Sequence, residues 1–209
     1  MSRRIIAGAL ARLQRRSGAR KVRDHQRPQS VRLDDGTAIV VRPVREEDKD
    51  RLAALTDSLS DESRSRRYLA PKGPLTEAEL EYFTEIDHRD HEALVALDGP
   101  AGNAIGVARY IRHPMDARSA EAAVVVSDRW QRRGIARALL GRLAALARAN
   151  GVRHFTAVLL SHNTASLHLL KQLGDPRATH DGGGTVAVTV ELPRERHTRP
   201  WRWPLTAAA

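Results

Sequence analysis

The segment Val124–Arg137, which reads VVVSDRWQRRGIAR, decides the fold of this chain. It joins a valine-rich run to a Gly-containing turn and then to an amphipathic helix, which we expect to extend over about residues 135–150. A continuous apolar run is typical of a strand that is covered on both faces of a sheet. The segment therefore predicts a strand–turn–helix unit in the interior of an α/β domain.

The turn in this unit has the features of an anion-binding site. The first N–H groups of a helix lack intrahelical acceptors, and the helix dipole places roughly half a positive charge at that end. Gly134 lets the backbone approach a ligand closely, and the small Ala136 permits the same. Arg132, Arg133 and Arg137 add positive charge. From these residues alone, phosphate binding and an ordinary strand–helix turn in an Arg-rich sequence stay equally open.

Strand and helix patterns alternate along the rest of the chain. Strands are predicted over 38–43, 93–97, 104–111, 119–127, 155–159 and 185–192, and helices over 46–59, 61–69, 76–87 and 163–173. Thr76 and Glu79 have the spacing of a capping box. This order predicts an α/β fold with a mixed, partly parallel twisted sheet flanked by helices.

The composition excludes several classes of protein. There is no cysteine, which removes disulfides, thiolate metal sites and a cysteinyl acyl-enzyme intermediate. The histidines show no metal-ligand spacing, and His88 and His91 are expected at the surface, so we expect no metal site. No stretch approaches the roughly 18 apolar residues that a membrane span requires. We therefore expect a soluble protein of the cytoplasm without a membrane span.

The formal charge of +10 is concentrated at the two ends of the chain. Residues 1–28 carry nine arginines or lysines against one aspartate, and residues 193–209 carry four arginines against one glutamate. This distribution predicts a basic, flexible or amphipathic N-terminal arm (1–28), a near-neutral domain (29–192) and a basic C-terminal tail (193–209). Such an arm can contact nucleic acid or an anionic surface, which we treat as a secondary expectation.

Two motifs resemble the GNAT superfamily of N-acetyltransferases. The first is Gln131-Arg-Arg-Gly134-Ile-Ala136 after a valine-rich strand, which is similar to the acyl-CoA-binding motif of that family. The second is Asn163-Thr-Ala-Ser-Leu-His-Leu-Leu170-Lys-Gln-Leu-Gly174, which resembles the helix after the family's fifth strand. The resemblance covers about residues 38–192. It implies a GNAT-like sheet whose fourth and fifth strands splay apart and admit the pantetheine arm of acetyl-CoA, the cosubstrate.

The resemblance also implies roles for individual residues. Val124 and Val126 would offer backbone hydrogen bonds to pantetheine, and Asn163 would lie near the pantetheine arm. The pyrophosphate would be held by the turn and the first helical residues, namely Gln131, Arg132, Arg133, Gly134, Ile135, Ala136 and Arg137.

Other short segments, less specific than the two motifs, resemble the bacterial Pat-type protein lysine acetyltransferases. They include Val41-Arg-Pro43, Leu59-Ser-Asp-Glu-Ser-Arg64, Asp87-His-Arg-Asp90 and Gly106-Val-Ala-Arg-Tyr110. Glu121 matches the catalytic glutamate of that group, which implies a general base that deprotonates the attacking amine. An amine attacks a thioester only when neutral, and a free lysine is neutral at pH 7 in roughly one molecule in 2,500. From the residues alone, a solvent-facing strand carboxylate stays an equal interpretation.

Several points stay open at this level. Many GNAT enzymes use a tyrosine as general acid, and Leu170 occupies that position here; Tyr110, Ser161 and His162 are alternatives. The acceptor is expected to be a protein lysine, with a small amine such as a polyamine or antibiotic as the alternative. An inactive acyl-CoA-sensing module is a further reading. Asp87, Arg89 and Asp90 either line the acceptor side or form a solvated turn.

Overall fold

A computed structural model describes residues 27–180 and 182–192, in which one sheet is flanked by helices. Its strands are β1 (Gln29–Arg32), β2 (Ala38–Pro43), β3 (His91–Leu97), β4 (Ala104–His113), β5 (Asp116–Val126), β6 (His154–Leu160), β7 (Pro176–His180) and β8 (Thr185–Glu191). Its α-helices are α1 (Lys49–Asp57), α2 (Asp61–Tyr68), α3 (Glu77–Thr84), α4 (Ile135–Ala149) and α5 (Thr164–Lys171). Short 3₁₀ turns lie at Glu46–Asp48 and Asp128–Trp130.

The strand order is β1-β2-β3-β4-β5-β6-β8-β7. The pairing of β5 with β6 is parallel, whereas the other neighbouring strands run antiparallel. The α/β fold with a mixed, partly parallel sheet is therefore confirmed. Because β1 precedes the first expected strand, the fourth and fifth strands of the sequence analysis are β5 and β6.

The two faces of the sheet carry separate apolar cores. The apolar stripe of α4, which consists of Leu139, Leu143, Leu146 and Ala147, is buried on the face that also holds the even residues of β3. On the other face, α1 and α3 pack Leu52, Leu55 and Leu80 against the odd residues of β3. This alternation follows from the two-residue period of a strand, and it assigns each later side chain to one face.

Helix ends follow the expected capping chemistry. Thr76 and Glu79 form the capping box of α3, in which the N–H of Glu79 donates to Thr76 Oγ1 at 3.3 Å. Asn163 caps α5 by accepting a hydrogen bond from the N–H of Ser166 at 3.1 Å. The helix expected up to residue 87 ends at Thr84, because the next residues form a turn in which Asp87 accepts N–H donors.

The two edge strands of the sheet and the terminal arms differ from the sequence-based expectation or lie beyond it. The strands β1 and β7 were not predicted, because they are short, mostly exposed edge strands without an apolar alternation. Residues 1–26 and 193–209 lie outside the described residues, so the basic arms, their contacts with nucleic acid or anionic surfaces, and the domain boundaries stay predictions. Among the described helices, none is long and apolar enough to cross a membrane.

A buried carboxylate stabilises the start of β3. Glu92 is fully buried, and its Oε1 lies 2.8 Å from His88 Nδ1 and accepts the N–H of Ala93 at 3.0 Å. The hydrogen bond to Glu92 raises the pKa of His88. A raised pKa stabilises the fold fully below the unfolded value of about 6.5, and this contribution is lost as pH rises through the folded value.

We expect the free energy of unfolding to fall as pH rises from about 6 through the elevated pKa of His88. In His88→Asn, which tolerates the positive φ of 55° at this position, that slope should disappear. Its stability at pH 6 should drop by about 3 kcal/mol, because Glu92 loses its charged partner. Urea unfolding at a series of pH values measures both effects. The same slope in variant and parent would contradict this account.

Candidate active site

A cleft opens where β5 and β6 separate. The two strands pair only at Ser119–His154, Ala120–Phe155 and Glu121–Thr156. Beyond these pairs, β5 continues to Val126 without β6 beside it, and a cleft of about 850 Å³ lies between β5, the following turn, the start of α4 and α5. Unpaired strand edges present backbone N–H and C=O groups to a ligand. The cleft therefore offers an extended ligand a backbone to pair with.

Most residues that were assigned to the cosubstrate line this cleft. They are Val124, Val126, Gln131, Arg132, Gly134, Ile135, Ala136, Arg137 and Asn163. Asn163 is buried, and its side chain is already used as the cap of α5. The carbonyl of Val126 accepts a hydrogen bond from Gln131 Nε2 at 3.2 Å, so one of its lone pairs is engaged. The binding roles of these residues stay predictions.

The turn at the end of the cleft exposes the N-terminus of α4. Arg132 and Gly134 adopt left-handed backbone conformations, with φ of 60° and 89°. The first helical hydrogen bond runs from the N–H of Ala138 to the carbonyl of Gly134, at 3.0 Å. The N–H groups of Ile135, Ala136 and Arg137 therefore precede the hydrogen-bonded part of the helix, as at any helix start. This arrangement favours a phosphate group at the end of the cleft.

Two aspartates of the β1–β2 hairpin lie beside this turn. Asp34 lines the cleft, and its Oδ1 lies 3.2 Å from Arg137 Nη2. Its Oδ2 would lie only 3.3 Å from a Cβ added at Gly134. The carboxylate of Asp34 thus occupies the edge of the space in which a phosphate would sit.

The Arg133 side chain lies apart from the other residues that were assigned to the cosubstrate. Its guanidinium does not line the cleft but turns outward, where Nε donates to Asp35 Oδ2 at 2.6 Å and Nη2 donates to Thr37 at 2.7 Å. It also stacks 4.2 Å above the Trp130 ring. These partners lie in the hairpin and the turn, and the cosubstrate role of Arg133 stays a prediction.

A network of hydroxyl and carboxylate groups fastens α2 to the same turn. Asp128 accepts hydrogen bonds from Ser60 Oγ at 2.9 Å and Ser63 Oγ at 2.6 Å, and from the Ser60 N–H at 2.9 Å. Gln131 Nε2 donates to Ser63 Oγ at 2.9 Å. The sequence analysis did not identify this network, although Ser60 at the N-cap position of α2 was a visible signal. The network fixes α2 as one wall of the site.

Glu121 lines a second, smaller cavity of about 220 Å³ that adjoins the cleft. It is exposed and lies at the last residue pair between β5 and β6. Glu121 is opposite Ile111, and Arg109 is opposite Ala123, so Glu121 and Arg109 are diagonal neighbours on one face. Such neighbours are about 7–8 Å apart, within reach of long side chains. Glu121 therefore stands where the strands part.

A buried arginine lies on the same face as Glu121. Arg109 is buried, with its guanidinium carbon 3.9 Å from the centroid of the Phe83 ring and Nη1 3.4 Å from His91 Nε2. Burial lowers the pKa of Arg109 to about 9 and that of His91 to about 4. At pH 7 Arg109 is therefore charged and His91 is neutral. His91 was expected at the surface, but it is half-buried.

The residues considered as general acids, Tyr110, Ser161 and His162, line neither cavity. Tyr110 is fully buried, where its hydroxyl donates to the carbonyl of Arg89 at 2.8 Å and accepts from Asn150 at 2.8 Å, and burial raises its pKa to about 12. Ser161 and His162 are exposed and line neither cavity. Leu170 lines the second cavity. Tyr68, which the sequence analysis had not considered, also lines it.

The turn before β3 does not border the site. Asp87 accepts the N–H groups of residues 89–91, and Asp90 pairs with Arg112 at 2.7 Å. Both carboxylates therefore serve a turn outside the two cavities. Within residues 27–180 and 182–192, no group of three or more metal-ligating side chains is close enough to hold a metal ion.

Comparisons with known proteins agree with this geometry. A family model described as the Acetyltransferase (GNAT) family matches residues 53–175. Acetyltransferase Pat of Mycolicibacterium smegmatis is 34% identical over 166 residues, covering 79% of this chain and 49% of that protein. Acetyltransferase PA5475 of Pseudomonas aeruginosa is 33% identical over 144 residues, covering 68% of this chain and 77% of that protein. The chain thus spans about half the length of the M. smegmatis relative.

Solved structures give the same result. The GNAT domain of S. lividans PAT superposes with a TM-score of 0.72 at 32% identity, covering 79% of this chain and 97% of that one. A phosphinothricin acetyltransferase from Sinorhizobium meliloti in complex with AcCoA shares the fold, with a TM-score of 0.63 at 21% identity over 78% of this chain and 92% of that one. The family model covers more than half of the sequence and both curated relatives exceed 30% identity, so this chain belongs to the acetyltransferase (GNAT) family.

Proposed function

We propose that this protein transfers the acetyl group of acetyl-CoA to an amine, with lysine side chains of proteins as the acceptor class. The observation that carries the proposal is the separation of β5 and β6 at Glu121, with the N-terminus of α4 at the far end of the opening. The strand edge suits the amides of pantetheine, and the helix start suits a pyrophosphate. The resemblance to Pat-type acetyltransferases supports a protein lysine as acceptor.

The mechanism that fits this arrangement is direct attack within a ternary complex. The acceptor ammonium first loses one proton to solvent, and Glu121 then accepts the second proton, which the amine gives up as the C–N bond forms, directly or through a water molecule, because Glu121 lines the cavity next to the cleft. The neutral amine attacks the thioester carbon, and a backbone N–H of β5 near Val124 stabilises the oxyanion. The protein contains no cysteine, so an acyl-cysteine intermediate plays no part.

The charge beside Glu121 bears on the alternative acceptors. Arg109 and Arg67 place two guanidinium groups on this side, and the positive charge of Arg67 lowers the pKa of Arg109. Polyamines carry several positive charges, which this environment disfavours. A small-amine panel alongside lysine peptides, read by mass spectrometry for acetylated product, tests the acceptor class. Acetylation of polyamines in preference to lysine peptides would contradict the proposal.

We expect Glu121→Gln to lower kcat by about 10²- to 10⁴-fold, the usual contribution of a general base. Affinity for acetyl-CoA should stay within about twofold, because Glu121 lines the second cavity and not the cleft. Thiol release measures kcat, and calorimetry measures binding. Glu191→Gln, an exposed strand carboxylate outside both cavities, is the matched control and should leave kcat unchanged. Equal turnover of parent and E121Q with bound acetyl-CoA would remove Glu121 from the mechanism.

Gly134→Ala should weaken acetyl-CoA binding about tenfold or more, because a Cβ at φ 89° is strained and lies 3.3 Å from Asp34 Oδ2. Gly141→Ala on the same helix is the control, since its Cβ would meet nothing within 4 Å. That change should leave affinity intact and stabilise the protein by about 1 kcal/mol. Calorimetry and thermal unfolding separate the two effects. Tight binding by G134A would refute the pyrophosphate assignment.

Asp34→Asn should strengthen acetyl-CoA binding by about three- to tenfold at low salt, because it removes a negative charge from the cleft and releases Arg137. The gain should shrink as salt rises. Asp35→Asn is the matched control, since Asp35 pairs with Arg133 outside the cleft, and its effect should be smaller. Titrations at several salt concentrations measure both. Weaker binding by D34N would show that Asp34 does not oppose the ligand.

A further inference from the structure

The cleft and the second cavity share a short boundary. Arg66, Arg67, Val124, Ser166 and Leu169 line both spaces. If acetyl-CoA lies in the cleft and Glu121 deprotonates the acceptor in the second cavity, the thioester must lie at this boundary, because the amine attacks the carbon attached to sulfur. The inference below therefore rests on the proposed function.

Arg67 is the charged group that is available at this boundary. Arg66 pairs with Glu62 at 2.5 Å. Arg67 makes no hydrogen bond and no ion pair with the described residues. Its guanidinium carbon lies 5.0 Å from the centroid of the Tyr68 ring, a cation–π contact. It is half-buried, and burial lowers its pKa, whereas the charge of Glu121 raises it. A partly desolvated cation without a partner is stabilised by any anion that forms beside it.

The boundary offers no efficient proton donor for a departing thiolate. Leu170 stands on α5 where the family resemblance places a tyrosine, and the hydroxyl of Tyr110 is buried elsewhere. Ser166 can donate a hydrogen bond but is far too weak an acid to give up its proton. Tyr68 lines the second cavity and not the cleft. Stabilisation of the thiolate by charge is therefore the simplest remaining route.

The movement of charge during transfer fits Arg67. A bond forms between the amine nitrogen and the acetyl carbon, the C–S bond breaks with its electron pair going to sulfur, and the amine proton goes to Glu121. One negative charge thus leaves the carboxylate while one appears on sulfur. We propose that Arg67 neutralises Glu121 before attack and stabilises the coenzyme A thiolate after it, in place of a general acid. The thiolate then takes a proton from solvent.

The test measures the thiol pKa of coenzyme A bound to the full chain, from the ultraviolet absorbance of the thiolate during a pH titration. In the parent protein the bound thiol should titrate at a pKa about 1 to 3 below that of free coenzyme A, as expected for one neighbouring cation. Arg67→Gln should abolish this difference, and Arg67→Lys should keep most of it. Arg45→Gln, at an exposed arginine that lines neither the cleft nor the second cavity, is the control.

Turnover gives the second measurement. Arg67→Gln should lower kcat by about 10²- to 10³-fold with KM for acetyl-CoA changed by less than about threefold, and added guanidinium ions should restore part of the activity of Arg67→Ala. Tyr68→Phe should have little effect. Bound coenzyme A with an unshifted thiol pKa, or a loss confined to Tyr68→Phe, would overturn the role of Arg67 alone. A shifted thiol without transfer to any amine would support Arg67 and refute the proposed function. Failure to bind coenzyme A would refute both.

Discussion

The limited contact between β5 and β6 is the constraint on which the rest of the structure depends. Three residue pairs join the strands, and the last of them includes Glu121. Had the ladder continued, the backbone of Ala122–Val126 would be satisfied by β6 and no ligand could pair with it. Because the pairing ends at Glu121, the carboxylate of Glu121 lies where β5 and β6 separate. The proposed cofactor site and the proposed base therefore both depend on this one interruption, and residues of α4 and α5 line the cleft that it leaves.

Electrostatic balance distinguishes the two ends of the site. At the helix start, hairpin carboxylates neutralise Arg133 and Arg137, so the resting cradle is less positive than its sequence indicates. At the boundary with the second cavity the situation is reversed, since Arg67 and Arg109 exceed the single charge of Glu121. If acetyl-CoA binds as proposed, its phosphates would compete with the hairpin carboxylates for the arginines at the helix start. The thiolate that forms at its other end would meet positive charge that Glu121 does not balance.

The sequence predicted the parts of the molecule that are locally encoded. The valine run, Gly134 and the leucine stripe of α4 each carry their own physical signal, and the separation of the fourth and fifth predicted strands followed from the family resemblance. Edge strands β1 and β7 were missed because exposed residues show no apolar period. The outward orientation of Arg133 could not be foreseen, because its partner Asp35 is 98 residues away in the chain. The position of Arg67 likewise depends on how α2 docks, which no local pattern specifies.

The helix α2 connects the turn beside the cleft with the second cavity. Its start is bound through Ser60 and Ser63 to Asp128 and Gln131 of that turn, while Arg67 in its last turn lines the second cavity. The eight residues of α2 thus join two hydrogen-bonded serines to a charged side chain at the other cavity. Under the proposed function, the hydrogen bonds at one end of this helix would therefore set the position of Arg67 beside the acceptor at the other end.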